Sequence, residues 1–584
     1  MERRYQLIVL LVAALIYLGC VISPPGLMDD VDAVQAQIAA NMLTSGDWVT
    51  ARLNGVAYLE KSPLIYWSMA GSFALFGIHD WAARLPLALS VIFLCWLTAR
   101  FARWAFDELT GLYAGLILST CIGLWLFTRI QIPDAMLTAT IALALWAFLR
   151  AMEGERCWAY LMWAAMATGL LLKGLIAMVF PVGAILLWLT LTRSWPQWSK
   201  LSPFTGLAII IGIAAPWHLA AALANPPFLD LTMHSTPGEY HGFTWFYFLN
   251  EHVFRFLNMR WPRDYNTVPR PLFWVFHLLW LFPWSAFFPG LATLSFQGED
   301  RAHRTRLLAL CFTAFLLTFF TFSTTQEYYS MPCYPALALL LASVLRAESR
   351  FVTLGRRLLS ILAALALAAI IAILIRVQGL PTPGDISNAL VLQATDAYTL
   401  SLGHMGDLTV EAFAYLRLPL FIAGLAFLIG TLGASLFRGL RLALALSAMM
   451  VLFFHAARVA LITFDPYLGS RPLAEAYLQA PPGQLIVDNQ YYTFSSVFFY
   501  AKNPQALLLN GRVNNLEYGS YAPGAPPVFI DNERFAELWK SPARHYLVIE
   551  APALKNVQKW AGKQNLYLVK SSGGKLLYSN RLDQ

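Results

Sequence analysis

The chain is a series of long apolar blocks separated by short polar loops. The blocks run for roughly 18–22 residues, about the length a helix needs to cross ~30 Å of hydrocarbon. Thirteen candidate spans can be marked, roughly at 5–24, 81–99, 108–128, 133–149, 158–172, 174–192, 203–223, 271–293, 307–323, 330–345, 358–376, 411–434 and 442–462. Only 13% of the 584 residues are charged and 58% are hydrophobic, whereas a soluble protein carries about 25% charged residues. The expected fold class is therefore a polytopic α-helical membrane protein. Residues 5–24 follow Arg3 and Arg4 as a signal peptide would, but no small-x-small cleavage site comes after them, so they are expected to stay as the first helix.

Lys and Arg set the orientation. Arg3/Arg4, Arg100/Arg103, Arg150/Arg156, Arg193/Lys200, Arg301/Arg304/Arg306, Arg346/Arg350/Arg356/Arg357 and Arg438/Arg441 fall on alternate sides of the span count, so they share one face, expected to be cytoplasmic. The other face receives loops 25–80, 129–132, 224–270, 324–329 and 377–410, and the C-terminal segment. The net charge of +8 then reflects basic loops beside anionic lipid, and no nucleic acid is expected. The cysteines Cys20, Cys95, Cys121, Cys157, Cys311 and Cys333 lie in or beside apolar runs without CxxC spacing, so neither a zinc ribbon nor a redox pair is expected.

Two outer loops carry structure of their own. In the first, 34–43 and 64–78 read as amphipathic helices lying in the interface. In 224–270 the aromatics Phe243, Trp245, Phe246, Tyr247, Phe248, Phe256, Trp261 and Tyr265 are expected at the headgroup layer. From about 463 the long apolar runs stop. Short β-rich runs at 485–487, 527–530, 546–549 and 566–569 alternate with helical stretches at 533–540 and 553–562. A soluble α/β domain of about 120 residues (463–584) is expected after a membrane domain (1–462).

The outer face collects Asp29, Asp30, Asp32, Glu60, Lys61, Arg84, Arg129, Asp134, Lys173, Glu251, His252, Arg255, Arg270 and the pair Tyr328/Tyr329. Charge at membrane depth is costly and marks a functional site by default. Carboxylates can act as a base or stabilise a developing sugar cation, and Lys and Arg can hold a phosphate leaving group. Plainer readings stand beside these. Asp29 or Asp30 would serve as a helix N-cap, and Lys61 could snorkel to the interface. Glu251 and His252 point about 100° apart on a helix, so one of them is expected to be structural. His241, with Glu239 nearby, could join Glu60 in a divalent-metal site, zinc or other.

Several segments together carry a resemblance. They are Asp29-Asp30-Val31-Asp32-Ala33, then Ala40-Asn41-Met42-Leu43-Thr44-Ser45-Gly46-Asp47-Trp48, then Leu53-Asn54-Gly55 through Glu60-Lys61-Ser62-Pro63. Leu172-Lys173-Gly174, Glu251-His252-Val253-Phe254-Arg255-Phe256, Phe282-Pro283-Trp284 and Gln326-Glu327-Tyr328-Tyr329 follow in order. This series resembles the GT-C membrane glycosyltransferases of the protein mannosyltransferase-like superfamily, and within it the lipid A aminoarabinose transferase group. The resemblance covers roughly residues 1–350. It departs from the usual Asp-Glu pair of the first loop, which here is Asp29-Asp30.

The resemblance implies an inverting transfer of 4-amino-4-deoxy-L-arabinose from undecaprenyl phosphate to lipid A phosphates, giving resistance to polymyxin. It implies a bacterial inner-membrane enzyme acting as a monomer, with its active site and C-terminal domain in the periplasm. Asp30 or Asp29 would be the catalytic carboxylate. Lys61 would bind the donor phosphate with Arg255 or Arg270 as a second cation, and Tyr328 or Tyr329 would close the pocket. Asp32, Arg84, Asp134, Lys173, Glu251 and His252 are further substrate-site candidates. Two other activities remain open: transfer to protein or another envelope glycan, and flipping of a lipid-linked sugar. The charges cluster at one face instead of the bilayer centre and no internal repeat is visible, which favours an enzyme over a transporter.

Overall fold

The computed structural model describes residues 2–262, 267–391, 403–502 and 505–582. Every expected span meets a helix. Among the described residues nine helices are long and apolar enough to cross a membrane, from Arg4–Ile22 to Gly439–Leu468. The chain is a multi-pass membrane protein with a C-terminal sheet.

Two of the expected spans are not simple rods, and a glycine divides two others. The segment expected at 271–293 is two helical pieces, Arg270–Trp280 and Trp284–Thr293, bent by 103°. Pro283 lies at the bend; it has no N–H to continue the ladder. The segment at 108–128 breaks after Ser119, where Cys121 is extended, and resumes as Ile122–Phe127. The spans on either side of Lys173 are divided by Gly174, whose φ is +70°. A Cβ there would lie 2.1 Å from His252 Nε2, so only glycine allows this approach.

The first loop departs from expectation. Helix Val31–Ser45 is buried almost without interruption from Asp32 to Ala40, so it is no interfacial helix with a wet face. Helix Leu64–Phe76 packs beside it. Between them Asn54-Gly55, both at positive φ, turns a two-residue hairpin of β1 (Arg52–Leu53) and β2 (Val56–Ala57).

What buries the first loop is the C-terminal unit. Its strands are β3 (Gln484–Asp488), β4 (Leu507–Leu509), β5 (Phe529–Ile530), β6 (His545–Glu550), β7 (Tyr567–Ser572) and β8 (Lys575–Ser579), in the order β5-β4-β3-β6-β8-β7. The first four are parallel and the last two are antiparallel additions. The chain moves from β3 outward to β5, then crosses to β6 on the other side of β3. Side chains alternate between faces along each strand. Leu485, Val487, Tyr546, Val548 and Leu577 pack with Ala33, Val34, Ile38 and Phe73 of the first loop. Ile486, Leu547 and Ile549 pack on Phe535, Trp539 and Val557 of the helices Asn532–Lys540 and Leu554–Ala561. The sheet and the first loop therefore share one core.

The aromatic loop is also more buried than expected. Phe243, Trp245, Phe246 and Tyr247 form a core with Trp217 and Tyr518, and the Phe246 and Tyr518 rings stack at 4.2 Å. Only Phe256 among the described members is exposed; Tyr265 lies outside the described residues.

Candidate active site

The hairpin β1–β2 delivers Tyr58, Glu60 and Lys61 into a charged cluster. Glu60 accepts a hydrogen bond from Tyr58 Oη at 2.8 Å. It pairs with Lys61 and lies 3.7 Å from Arg255 Nη1. Burial alone would raise the Glu60 carboxyl, but the cations Lys61, Arg260 and Arg255 outweigh it and hold the group well below the usual carboxylate range. The wide π-helix Trp245–Phe254 supplies Glu251, which binds Arg255 at 2.6 Å and also pairs with Arg260.

A second cluster lies beside it. Asp134 opens helix Asp134–Met152 and Lys173 closes helix Arg156–Lys173. Their charged atoms are 2.6 Å apart. Lys173 Nζ stands 5.0 Å from the Tyr328 ring centre and 4.9 Å from that of Tyr329, a cation–π geometry. Lys61 and Arg255 are within electrostatic range of Lys173, so the two clusters form one cationic site. Asp134 Oδ2 has no hydrogen-bond partner among the described residues. A narrow cleft of about 10 Å³, room for roughly one water, reaches Lys61 and is lined by Tyr58, Tyr66, Trp217 and Phe243.

The acidic triplet divides. Asp32 is buried, bound to Arg84 at 2.8 Å and to the backbone N–H groups of Met28 and Gln131. Asp29 is held by Lys575, Ser470 Oγ and the N–H of Ser496. Both are tied into the structure. Asp30 is exposed and sits at the start of helix Val31–Ser45 with φ +70°. It makes no side-chain cap bond there, so the N-cap reading does not describe it.

The other expected residues fall into place individually. His252 is structural: Nε2 accepts from the N–H of Leu175 at 3.1 Å and Nδ1 donates to the Tyr247 carbonyl. Arg270 is exposed at the start of its own helix, whereas Arg255 is inside the cluster. Arg129 is buried over Trp125. Glu60 and His241 have separate partners. His241 Nδ1 is 2.7 Å from Asp230, and Glu239 is 3.7 Å from Nε2. Among the described residues no three His, Cys, Asp or Glu are grouped to hold a metal. With Glu60 already neutralised by Lys61 and Arg255, the residues present do not fit the divalent site expected from the sequence. Arg260, Tyr58, Tyr492 and Lys575 were not among the expected site residues. Only Tyr58 carried a signal, since it lies two residues before Glu60 in extended chain and shares its face.

This architecture has known counterparts. A family model described as dolichyl-phosphate-mannose-protein mannosyltransferase matches residues 60–219. The crystal structure of ArnT from Cupriavidus metallidurans bound to undecaprenyl phosphate superposes with a TM-score of 0.79 at 21% identity, covering 100% of this chain and 99% of that one. The fold is that of ArnT. The apo form of the same ArnT gives a TM-score of 0.77. Among curated proteins, the undecaprenyl phosphate-alpha-4-amino-4-deoxy-L-arabinose arabinosyl transferase of Enterobacter sp. (strain 638) is 26% identical over 58% of this chain and 59% of its own length. That of Aeromonas salmonicida is 30% identical over 53% and 54%. The chain thus spans less than two thirds of the length of the curated relatives it matches. The likeness to ArnT extends through the C-terminal sheet, while the family model takes in Glu60, Lys61, Asp134 and Lys173.

Proposed function

We propose that the chain is a polyprenyl-phosphate-dependent glycosyltransferase that moves 4-amino-4-deoxy-L-arabinose from undecaprenyl phosphate to lipid A phosphates. The observation that carries this reading is the convergence of Lys61, Arg255 and Lys173 in an ArnT fold. Residues 1–462 would form the membrane catalytic part and 463–584 the periplasmic unit of a monomer in the bacterial inner membrane. The ion pairs Arg346–Asp107 and Arg301–Glu153 tie together loops of the basic face, which this reading assigns to the cytoplasm.

The chemistry explains the charges. An acceptor phosphate oxygen attacks the sugar C1. The C1–O bond to undecaprenyl phosphate breaks, and its electron pair stays on the donor phosphate. The acceptor monoester becomes a diester while the donor diester becomes a monoester, so one negative charge moves across the site. Lys61 and Arg255 stabilise that charge where it arrives. The acceptor oxygen is already ionised, so no base is needed to activate it. Asp30 then serves to bind the sugar's ammonium or the positive charge developing at C1. Tyr328 and Tyr329 close the site over Lys173. An added amino sugar would lower the surface charge that attracts polymyxin.

The test is lipid A mass spectrometry in cells lacking their own transferase. Wild type should add an aminoarabinose mass to lipid A, and Asp30→Asn and Lys61→Ala at equal expression should not. Unmodified lipid A with well-expressed wild type would overturn the acceptor assignment.

A further inference from the structure

The C-terminal unit grips the loop that carries Asp30. The Asp29 carboxylate takes Lys575 Nζ at 2.5 Å, Ser470 Oγ at 2.5 Å and the Ser496 N–H at 2.9 Å. The Asp29 N–H donates to the Leu468 carbonyl and the Asp30 N–H to the Tyr492 carbonyl, at 2.9 and 2.8 Å. Ser495 Oγ donates to the Asp30 carbonyl at 3.0 Å. Held this way, Asp30 keeps a φ of +70°, a conformation that persists only where surroundings over-determine it.

The place of this grip in the sheet is informative. Lys575 pairs in register with Glu550, the last residue of β6. Tyr492, Ser495 and Ser496 follow the end of β3. The strand order reverses between β3 and β6, and open α/β sheets take their ligands at the carboxyl ends of strands at such a switch point. Here that position receives the protein's own first loop.

Tyr492 joins the two halves of the site. Its carbonyl holds the Asp30 N–H, and its hydroxyl donates to Tyr58 Oη at 3.1 Å. Tyr58 in turn donates to Glu60, the partner of Lys61 and Arg255. We infer that Lys575 and Tyr492 are positioning residues: the C-terminal unit sets the first-loop carboxylate against the phosphate-binding cations. This rests on the transferase reading above.

The experiment uses the full chain in nanodiscs, with undecaprenyl-phosphate aminoarabinose as donor and lipid A as acceptor. Lys575→Ala and Tyr492→Phe should lower kcat about ten- to a hundredfold, the scale of a misplaced group, with donor KM nearly unchanged. Lys575→Arg should restore most of the loss. Hydrogen exchange should show amides 29–34 losing protection in Lys575→Ala. Unchanged kcat in both variants would overturn the inference. So would a joint fall in kcat, donor affinity and thermal stability that Lys575→Arg does not rescue, the mark of a purely structural role. If wild type transfers no sugar, the transferase reading fails by itself. Exchange then decides the grip, and equal protection of 29–34 in wild type and Lys575→Ala overturns it.

Discussion

Lys173 and Asp134 form an ion pair at 2.6 Å, each at the helix end that suits its charge. The anion opens one helix and the cation closes another, where the macrodipoles favour them. Asp134 is 2% exposed at its side chain and Lys173 15%, so neither charge can be left alone without penalty.

Removing one partner should therefore be worse than removing both. Lys173→Met alone should destabilise by about 3–5 kcal/mol, because it strands a buried carboxylate. Lys173→Met with Asp134→Leu should recover much of that stability. Thermal unfolding in detergent checks the stability, and turnover of the double variant should stay low because Lys173 also faces Tyr328 and Tyr329.

The two arginines considered for the donor phosphate should separate. Arg255 lies between Glu60 and Glu251, and Arg255→Ala should reduce kcat/KM about a hundredfold or more, as expected for a lost charge-stabilising donor. Arg270 is exposed outside this cluster, and Arg270→Ala should stay near wild type. Steady-state kinetics with labelled donor checks both.

Much of this was legible in the chain because membrane physics writes itself into sequence. Apolar block length marked the helices. The β-rich runs at 485–487 and 546–549 became β3 and β6. Burial was harder to see. Asp29, Asp30 and Asp32 are nearly adjacent and chemically alike, and only tertiary partners tell them apart: Lys575 takes one and Arg84 another. Those contacts span hundreds of residues or separate helices, which no local period encodes. The buried helix Val31–Ser45 read as interfacial because its polar positions, Gln35 and Gln37, are covered by other elements. β4 and β8 were missed because β4 has three residues and β8 lacks a strong apolar run.

Gly174 offers a sharp test of the division between its two helices. Gly174→Ala must place a methyl 2.1 Å from His252 Nε2 and adopt a φ of +70°. A backbone at φ +70° and ψ −148° alone disfavours alanine by about 1–3 kcal/mol, and the clash displaces His252 from the Leu175 N–H. Thermal stability should fall measurably, and His252→Ala should relieve part of that fall by removing the ring.

His252 also predicts how stability responds to pH. Burial is the largest influence on its imidazole and pushes its pKa below the ordinary value. The folded protein therefore keeps the ring neutral where the unfolded chain, titrating near 6.5, begins to bind a proton. Between these two points the unfolded state binds more protons, so stability rises with pH. The His252 contribution is fully present above about pH 6.5 and is lost progressively as pH falls from there toward the folded pKa. Thermal unfolding followed from pH 7.5 downward should show this loss in wild type. His252→Gln should be less stable at pH 7.5 but show a shallower slope below pH 6.5, since the titrating ring is gone. Equal slopes in the two proteins would mean that another group carries the acid sensitivity.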